Sequence, residues 1–313
     1  MMMKRQMSSV PTLLTIIAII LMSCRNERGK KPSSTHANTD IHPFEGTSAE
    51  TATKFESEVV SLTESAEFGI TFTADMKTLF FTSKRGEDKD FCIYTSRFEN
   101  NKWQPAGIAS FSGKYFDADA FIDPQDDKLY FFSMRPRGKD TIPLEMPNIW
   151  YTGKKEGSWA EPKMIKGDIN SPTSGEGYLS LTKNGTMYFS TMGRLEGKQH
   201  DIFKSTSSDH MFSEPEYVEI DIDTSFSNPF ISPDEDFLLI DSRQAGGLGG
   251  NDLYFVKRLR GNTWSKPVNI GPKINTPGDE GTPSLSPDGK WLFFSRDGDI
   301  YFISAEAALS DML

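Results

Sequence analysis

Ser286-Pro287-Asp288-Gly289-Lys290, running into Trp291-Leu292-Phe293-Phe294-Ser295, reads as a tight turn that feeds an apolar strand, with Asp299-Ile300-Tyr301-Phe302 as the next strand. Pro presets φ at the second turn position, and Asp and Gly tolerate the conformations that reverse a strand. Weaker copies occur at Ala74-Asp75-Met76-Lys77 before Leu79-Phe80-Phe81, Pro124-Gln125-Asp126-Asp127 before Leu129-Tyr130-Phe131, Lys183-Asn184-Gly185 before Met187-Tyr188-Phe189, and Pro233-Asp234-Glu235 before Leu238-Leu239-Ile240. Counted from Leu79, the equivalent positions Leu129, Met187, Leu238 and Leu292 lie 50, 58, 51 and 54 residues apart. A period of this length is one supersecondary unit repeated.

Each unit divides into four strands. An alternating stretch precedes the turn, as in Ile70-Thr71-Phe72-Thr73, and a run apolar on both faces follows it, as expected of a strand packed between neighbouring sheets. A third strand follows, and a fourth is marked by an aromatic residue and a proline, as in Trp103-Gln104-Pro105 and Trp264-Ser265-Lys266-Pro267. Proline is tolerated there because an outermost strand has a free edge. The fifth unit ends before its fourth strand. Residues 56–62, Glu56-Ser57-Glu58-Val59-Val60-Ser61-Leu62, resemble the missing piece and are expected to close the ring. The fold class is therefore all-β, a β-propeller of five four-stranded blades. Six blades are the alternative, if stretch 100–120 or 136–175 hides a degenerate unit.

Ser-Pro-Asp-Gly-Lys-x-Leu-x-Phe-x-Ser, with Asp-Ile/Leu-Tyr and then Trp-x-x-Pro downstream, resembles the WD40-like β-propeller repeat of TolB-type bacterial envelope proteins over roughly residues 57–305. The Trp-Asp and Gly-His pairs of eukaryotic WD40 repeats are missing. The resemblance implies a fold and an envelope setting, and implies no chemistry.

The N-terminus carries its own signal. Lys4 and Arg5 precede the apolar run Leu13–Leu21, shorter than the ~20 residues of a membrane-spanning helix and of the kind found in secretory leaders. Leu21-Met22-Ser23-Cys24 resembles the lipobox of bacterial lipoproteins, which implies cleavage before Cys24 and lipid attachment to it. Arg25 is not the Asp that retains enteric lipoproteins at the inner membrane, so the outer membrane is expected. The expected domains are a signal peptide over 1–23, a polar tether over 24–54, rich in Ser, Thr, Lys and Asn, and the propeller over 55–313.

Composition narrows the partners. The mature chain would have 290 residues (313 less 23) and a formal charge of −12 (34 less 2 basic residues against 44 acidic ones), which disfavours nucleic acid and anionic surfaces. No His-x-x-x-His or Cys-x-x-Cys pair is present, so neither a transition metal nor another cofactor is expected. Cys92, between Phe91 and Ile93, reads as a buried strand thiol. Gly246-Gly247-Leu248-Gly249-Gly250 reads as a flexible hairpin loop, since no Lys-Ser/Thr and no helix follow it.

One constellation remains. Aligned on their turns, the units place Glu67, Asp117, Glu176 and Glu280 eight residues before the turn's Asp or its equivalent, while the fourth carries Phe226 there. Asp119 follows two residues after Asp117. Such acids either ring one mouth of the central channel, as a binding site, or cap the loops between blades. Phe116, Tyr178 and Phe226 are candidate rim aromatics for stacking on sugars or partner side chains. Two classes of function follow: a membrane-anchored module that binds a protein, peptide or glycan, or a glycoside hydrolase using a carboxylate pair. Equivalent acids with similar neighbours do not develop the split pKa values that an acid/base pair requires, which favours binding. The break in the repeat at Phe226 is where a specific ligand is expected.

Overall fold

The computed structural model describes residues 42–313 apart from 124–127, 139, 156, 198, 209–210 and 245. The expected leader, Cys24 and the first part of the tether lie outside the described residues, as do the turn at 124–127 and His210. Among the described residues no helix is long and apolar enough to cross a membrane.

Five antiparallel sheets form five blades, each built from consecutive hairpins. The inner strands are Ala66–Phe72, Asp117–Ile122, Gly175–Leu181, Phe226–Ile231 and Glu280–Leu285. The second strands, Thr78–Lys84, Lys128–Ser133, Thr186–Met192, Phe237–Ser242 and Trp291–Arg296, hold the core. Their apolar runs face a neighbouring sheet on both sides, so Leu79, Phe81, Leu129, Phe131, Met187, Phe189 and Leu292 are fully buried. The repeated turn is held by its own side chains: Ser286 Oγ donates to Asp288 Oδ1 (2.6 Å) and accepts from Trp291 N (3.0 Å), as Thr73 does with Asp75 and Thr78 in the first blade.

The outer strand is split in blades one to three. In blade one, Lys102–Trp103 and Gly107–Ile108 both pair with the third strand, on either side of Pro105, which has no N–H to contribute to a ladder. A short helix, Ala305–Leu309, follows the last strand and buries Leu309 against the fifth blade.

The N-terminal segment does close the ring, with a shift of a few residues from the expected one. The closing strand is Thr53–Lys54, registered on Phe302 and Tyr301, and Phe55 N continues it by donating to Ile300 O (2.8 Å). Residues 56–62 are not a strand: the backbone reverses at Glu56 (φ 43°) into a turn, with Val60 N donating to Glu56 O. Ser61 then bridges Ile300, accepting from its N–H (3.0 Å) and donating to its carbonyl (3.2 Å). Asn170 with Ile149 and Asn275 with Leu253 repeat both bonds, and Ser112 accepts from Ile93 N alone, so residues 56–61 match the loops that join other blades. Phe44 is buried among Phe55, Phe72, Trp291 and Phe293, where the first and last blades meet.

The glycine-rich loop packs closely instead of standing free. A Cβ at Gly249 would lie 2.1 Å from Thr276 O, and Gly250 N donates to Gly278 O, tying the loop of blade four to blade five.

The closure predicts a stability experiment. Phe55→Ala removes a ring in edge contact with Phe293 and Phe302, and is expected to cost about 3–5 kcal/mol in urea unfolding. A loss under about 1 kcal/mol would mean that the N-terminal segment does not hold the ring.

Candidate functional site

The four repeated acids are internal. The side chains of Glu67, Asp117, Glu176 and Glu280 are 0% exposed, and each is paired with an arginine from the end of its own blade's second strand or just beyond it. The separations are 3.4 Å for Arg85–Glu67, 2.6 Å for Arg135–Asp117, 3.7 Å for Arg194–Glu176 and 2.9 Å for Arg296–Glu280. Each guanidinium also donates to backbone carbonyls of the loop arriving from the previous blade: Val59 and Val60, Phe111, Asp168 and Ile169, and Ile274. Aromatic faces cover them, as Phe81 and Tyr94 do Arg85. Arginine suits the position because its planar fork reaches a carboxylate and a carbonyl together. The acids thus fasten blade to blade.

Burial dominates the ionisation of Glu67, Asp117 and Glu176. It raises the carboxyls of Glu67 and Asp117 above the usual range despite their arginines and serines. Glu176 is pushed up to about 7 by burial, against the hydrogen bonds from Ser174 and Ser171 and the charges of Arg194 and Arg137. Burial, with Asp88, likewise pushes the Cys92 thiol up to about 11.

The fourth blade departs from this scheme. Phe226 is buried in an apolar cluster with Ile240 and Tyr254, so it is not a rim aromatic. Hydroxyls hold the incoming loop instead: Thr224 bonds Ser242 (2.8 Å), and Ser242 donates to Ser225 O (3.0 Å). Arg243, with no carboxylate at position 226 to hold it, is 70% exposed and reaches Asp279 of the next blade (2.8 Å). Here a cavity of about 660 Å³ opens, lined by Arg243, Asp241, Asn251, Asp279, Tyr178 and Asn228 among others. Asp241 lies on its inner wall and accepts from Ser227 Oγ (2.6 Å), the Asn228 amide and Thr282 N (3.3 Å). Burial raises its carboxyl, against those bonds.

Deeper in the channel, every inner strand carries a β-bulge, and its residue has positive φ: Gly69 (60°), Asp119 (46°), Tyr178 (42°), Asn228 (52°) and Thr282 (47°). Only glycine takes this region freely, Asp and Asn tolerate it, and Tyr and Thr are strained at ~1–3 kcal/mol each. The five residues line a narrow void of about 40 Å³, and Tyr178, Asn228 and Thr282 also line the larger cavity. Of the sequence candidates, the structure brings Asp119 and Tyr178 here, while Phe116 packs against Phe91 and Phe132. The arginines escaped the sequence reading although their spacing carries a signal. Arg85, Arg135 and Arg194 each follow their acid by 18 residues, and Arg296 follows by 16.

No family model matches the chain, and no curated protein matches it either. Among solved structures it is similar to TolB from Acinetobacter baumannii (14% identity, TM-score 0.47), covering 77% of this chain and 54% of that one, so it spans about half of that protein's length. It is also similar to a protein of unknown function from Dyadobacter fermentans (14%, 0.47; 84% and 85% covered) and to a putative TolB from Agrobacterium tumefaciens (13%, 0.47; 75% and 71%).

Two predictions separate the fastening arginines from the exposed one. Arg135→Ala strands the buried Asp117 carboxylate and should cost about 3–5 kcal/mol in urea unfolding, whereas Arg243→Ala should stay within about 0.5 kcal/mol. Equal losses would contradict the assignment. Glu176 gives a pH signature. Its folded pKa of about 7 lies above the ordinary carboxyl value, so the folded state holds the proton longer than the unfolded one. Its contribution is present below the unfolded pKa and is lost as pH rises to 7. Melting temperature should therefore fall more from pH 5 to 7.5 in the native chain than in Glu176→Gln, and parallel curves would contradict this.

Proposed function

We propose that the chain is a recognition module of the bacterial cell envelope, held to a membrane, the outer one by preference, through lipid on Cys24, and that it binds a protein, peptide or glycan at the channel mouth between blades four and five. The observation that carries this reading is Arg243. The four equivalent acids are committed to arginines and loop carbonyls, whereas at Phe226 the pattern lapses and leaves an exposed guanidinium in an open polar cavity. Polar groups around Tyr178, with hydroxyls from Thr224, Ser225 and Ser227, offer hydrogen bonds and a stacking face, as a small-ligand or peptide site requires.

A hydrolase reading rests on Asp241, a carboxyl on the wall of the same cavity with its pKa raised by burial, as a general acid requires. Its contacts weigh against that role. Ser227, Asn228 and Thr282 already donate to its two oxygens.

Capture of partners from native envelope by the full-length chain tests the proposal, with Cys24→Ser as the control for the anchor. Arg243→Ala and Asn251→Ala should reduce capture at least tenfold while shifting the melting temperature by no more than about 2 °C. Capture indifferent to both substitutions would refute the cavity as the site. Hydrolysis of a glycan panel that Asp241→Asn abolishes would favour the enzyme.

A further inference from the structure

We infer that the floor of the channel-mouth cavity recognises a primary ammonium group, held by Asp119 and the side-chain oxygen of Asn228; the inference rests on the cavity being a binding site. Both carboxylate oxygens of Asp119 and Oδ1 of Asn228 are buried without a hydrogen-bond partner. Buried polar atoms are almost always bonded, and three unpartnered acceptors lining one void call for a donor from outside the chain. Asn228 is oriented for this, because its amide nitrogen donates to Asp241 and leaves the oxygen free.

The shape selects among donors. An ammonium has three N–H donors and no acceptor, matching three orphan acceptors. The void, about 40 Å³, is small beside the cavity of about 660 Å³ that it adjoins, so it takes the head group and not the body of a ligand. The ligand's stem would pass between Tyr178, Asn228 and Thr282, which border both spaces, and its remainder would lie in the large cavity.

Charge agrees with this. Glu67 and Glu280 on the cavity wall are paired with Arg85 and Arg296, leaving Asp241, Asp279 and Asp297 against Arg243. Among the described residues no three His, Cys, Asp or Glu side chains come together as a metal site would need. Burial, and then the charge of Asp241, hold the Asp119 carboxyl well above the usual range, and a cation beside it would favour its ionised form. The glycine of blade one belongs to the same device. A Cβ at Gly69 would lie 2.0 Å from Asp119 Oδ1, so any larger residue would displace the carboxylate.

Calorimetric titration of the full-length chain in detergent tests the site. The probes are N-acetyl-lysine methylamide and glucosamine as peptide and glycan sources of the ammonium, N-acetyl-norleucine methylamide as the uncharged counterpart, and calcium chloride as a bare cation. At least one amine should bind, the norleucine compound should not, and Asp119→Asn should weaken amine binding at least tenfold. Its melting temperature should be unchanged or higher, since Asn tolerates the positive φ and removes a buried carboxylic acid. Whichever amine binds identifies the source. Equal binding of the norleucine compound, amine affinity indifferent to Asp119→Asn, binding of calcium alone, or no binding of any probe would overturn the inference. Envelope capture that needs Arg243 but ignores Asp119 would remove the ammonium site and leave the recognition module standing.

Discussion

A buried arginine–carboxylate pair at the start of the inner strand is the contact on which this ring depends. A propeller blade satisfies its own ladder, so what must be fixed is the angle and spacing between blades. In four blades one guanidinium does that by bonding the acid of its own sheet and the carbonyls of the loop arriving from the preceding one. The carboxylates are out of water, and the guanidinium together with neighbouring hydroxyls compensates for their lost hydration. Apolar burial along the second strands supplies the bulk of cohesion, and the ion pairs supply its geometry.

That division explains why one exception matters. Where Phe226 replaces the acid, hydroxyls of Thr224 and Ser242 hold the loop and an aromatic ring fills the space. The arginine of that blade remains and turns outward. The same departure that breaks the structural pattern therefore leaves a charged group in a cavity, beside the bulges that carry Asp119, Tyr178, Asn228 and Thr282.

The fold was legible because turn chemistry and apolar runs are local and repeat five times. The closing strand lies at 53–54, a few residues ahead of the expected 56–62, because what ends it is a positive φ at Glu56, a residue type that gives no warning of one. The acids were legible as a repeat, but their burial was not, since their partners lie 16 to 18 residues away, at the end of the next strand or just beyond it. The ring of bulges was illegible for a different reason. Its occupants are Gly, Asp, Tyr, Asn and Thr, which share a backbone conformation and no side-chain chemistry.

Guanidinium exchange reads the central claim directly. In a chain carrying nitrogen-labelled arginine, the Nε–H resonances of Arg85, Arg135, Arg194 and Arg296 should exchange slowly with water, and that of Arg243 quickly. Protection of Arg243 equal to that of the other four, or free exchange of all five, would contradict the account.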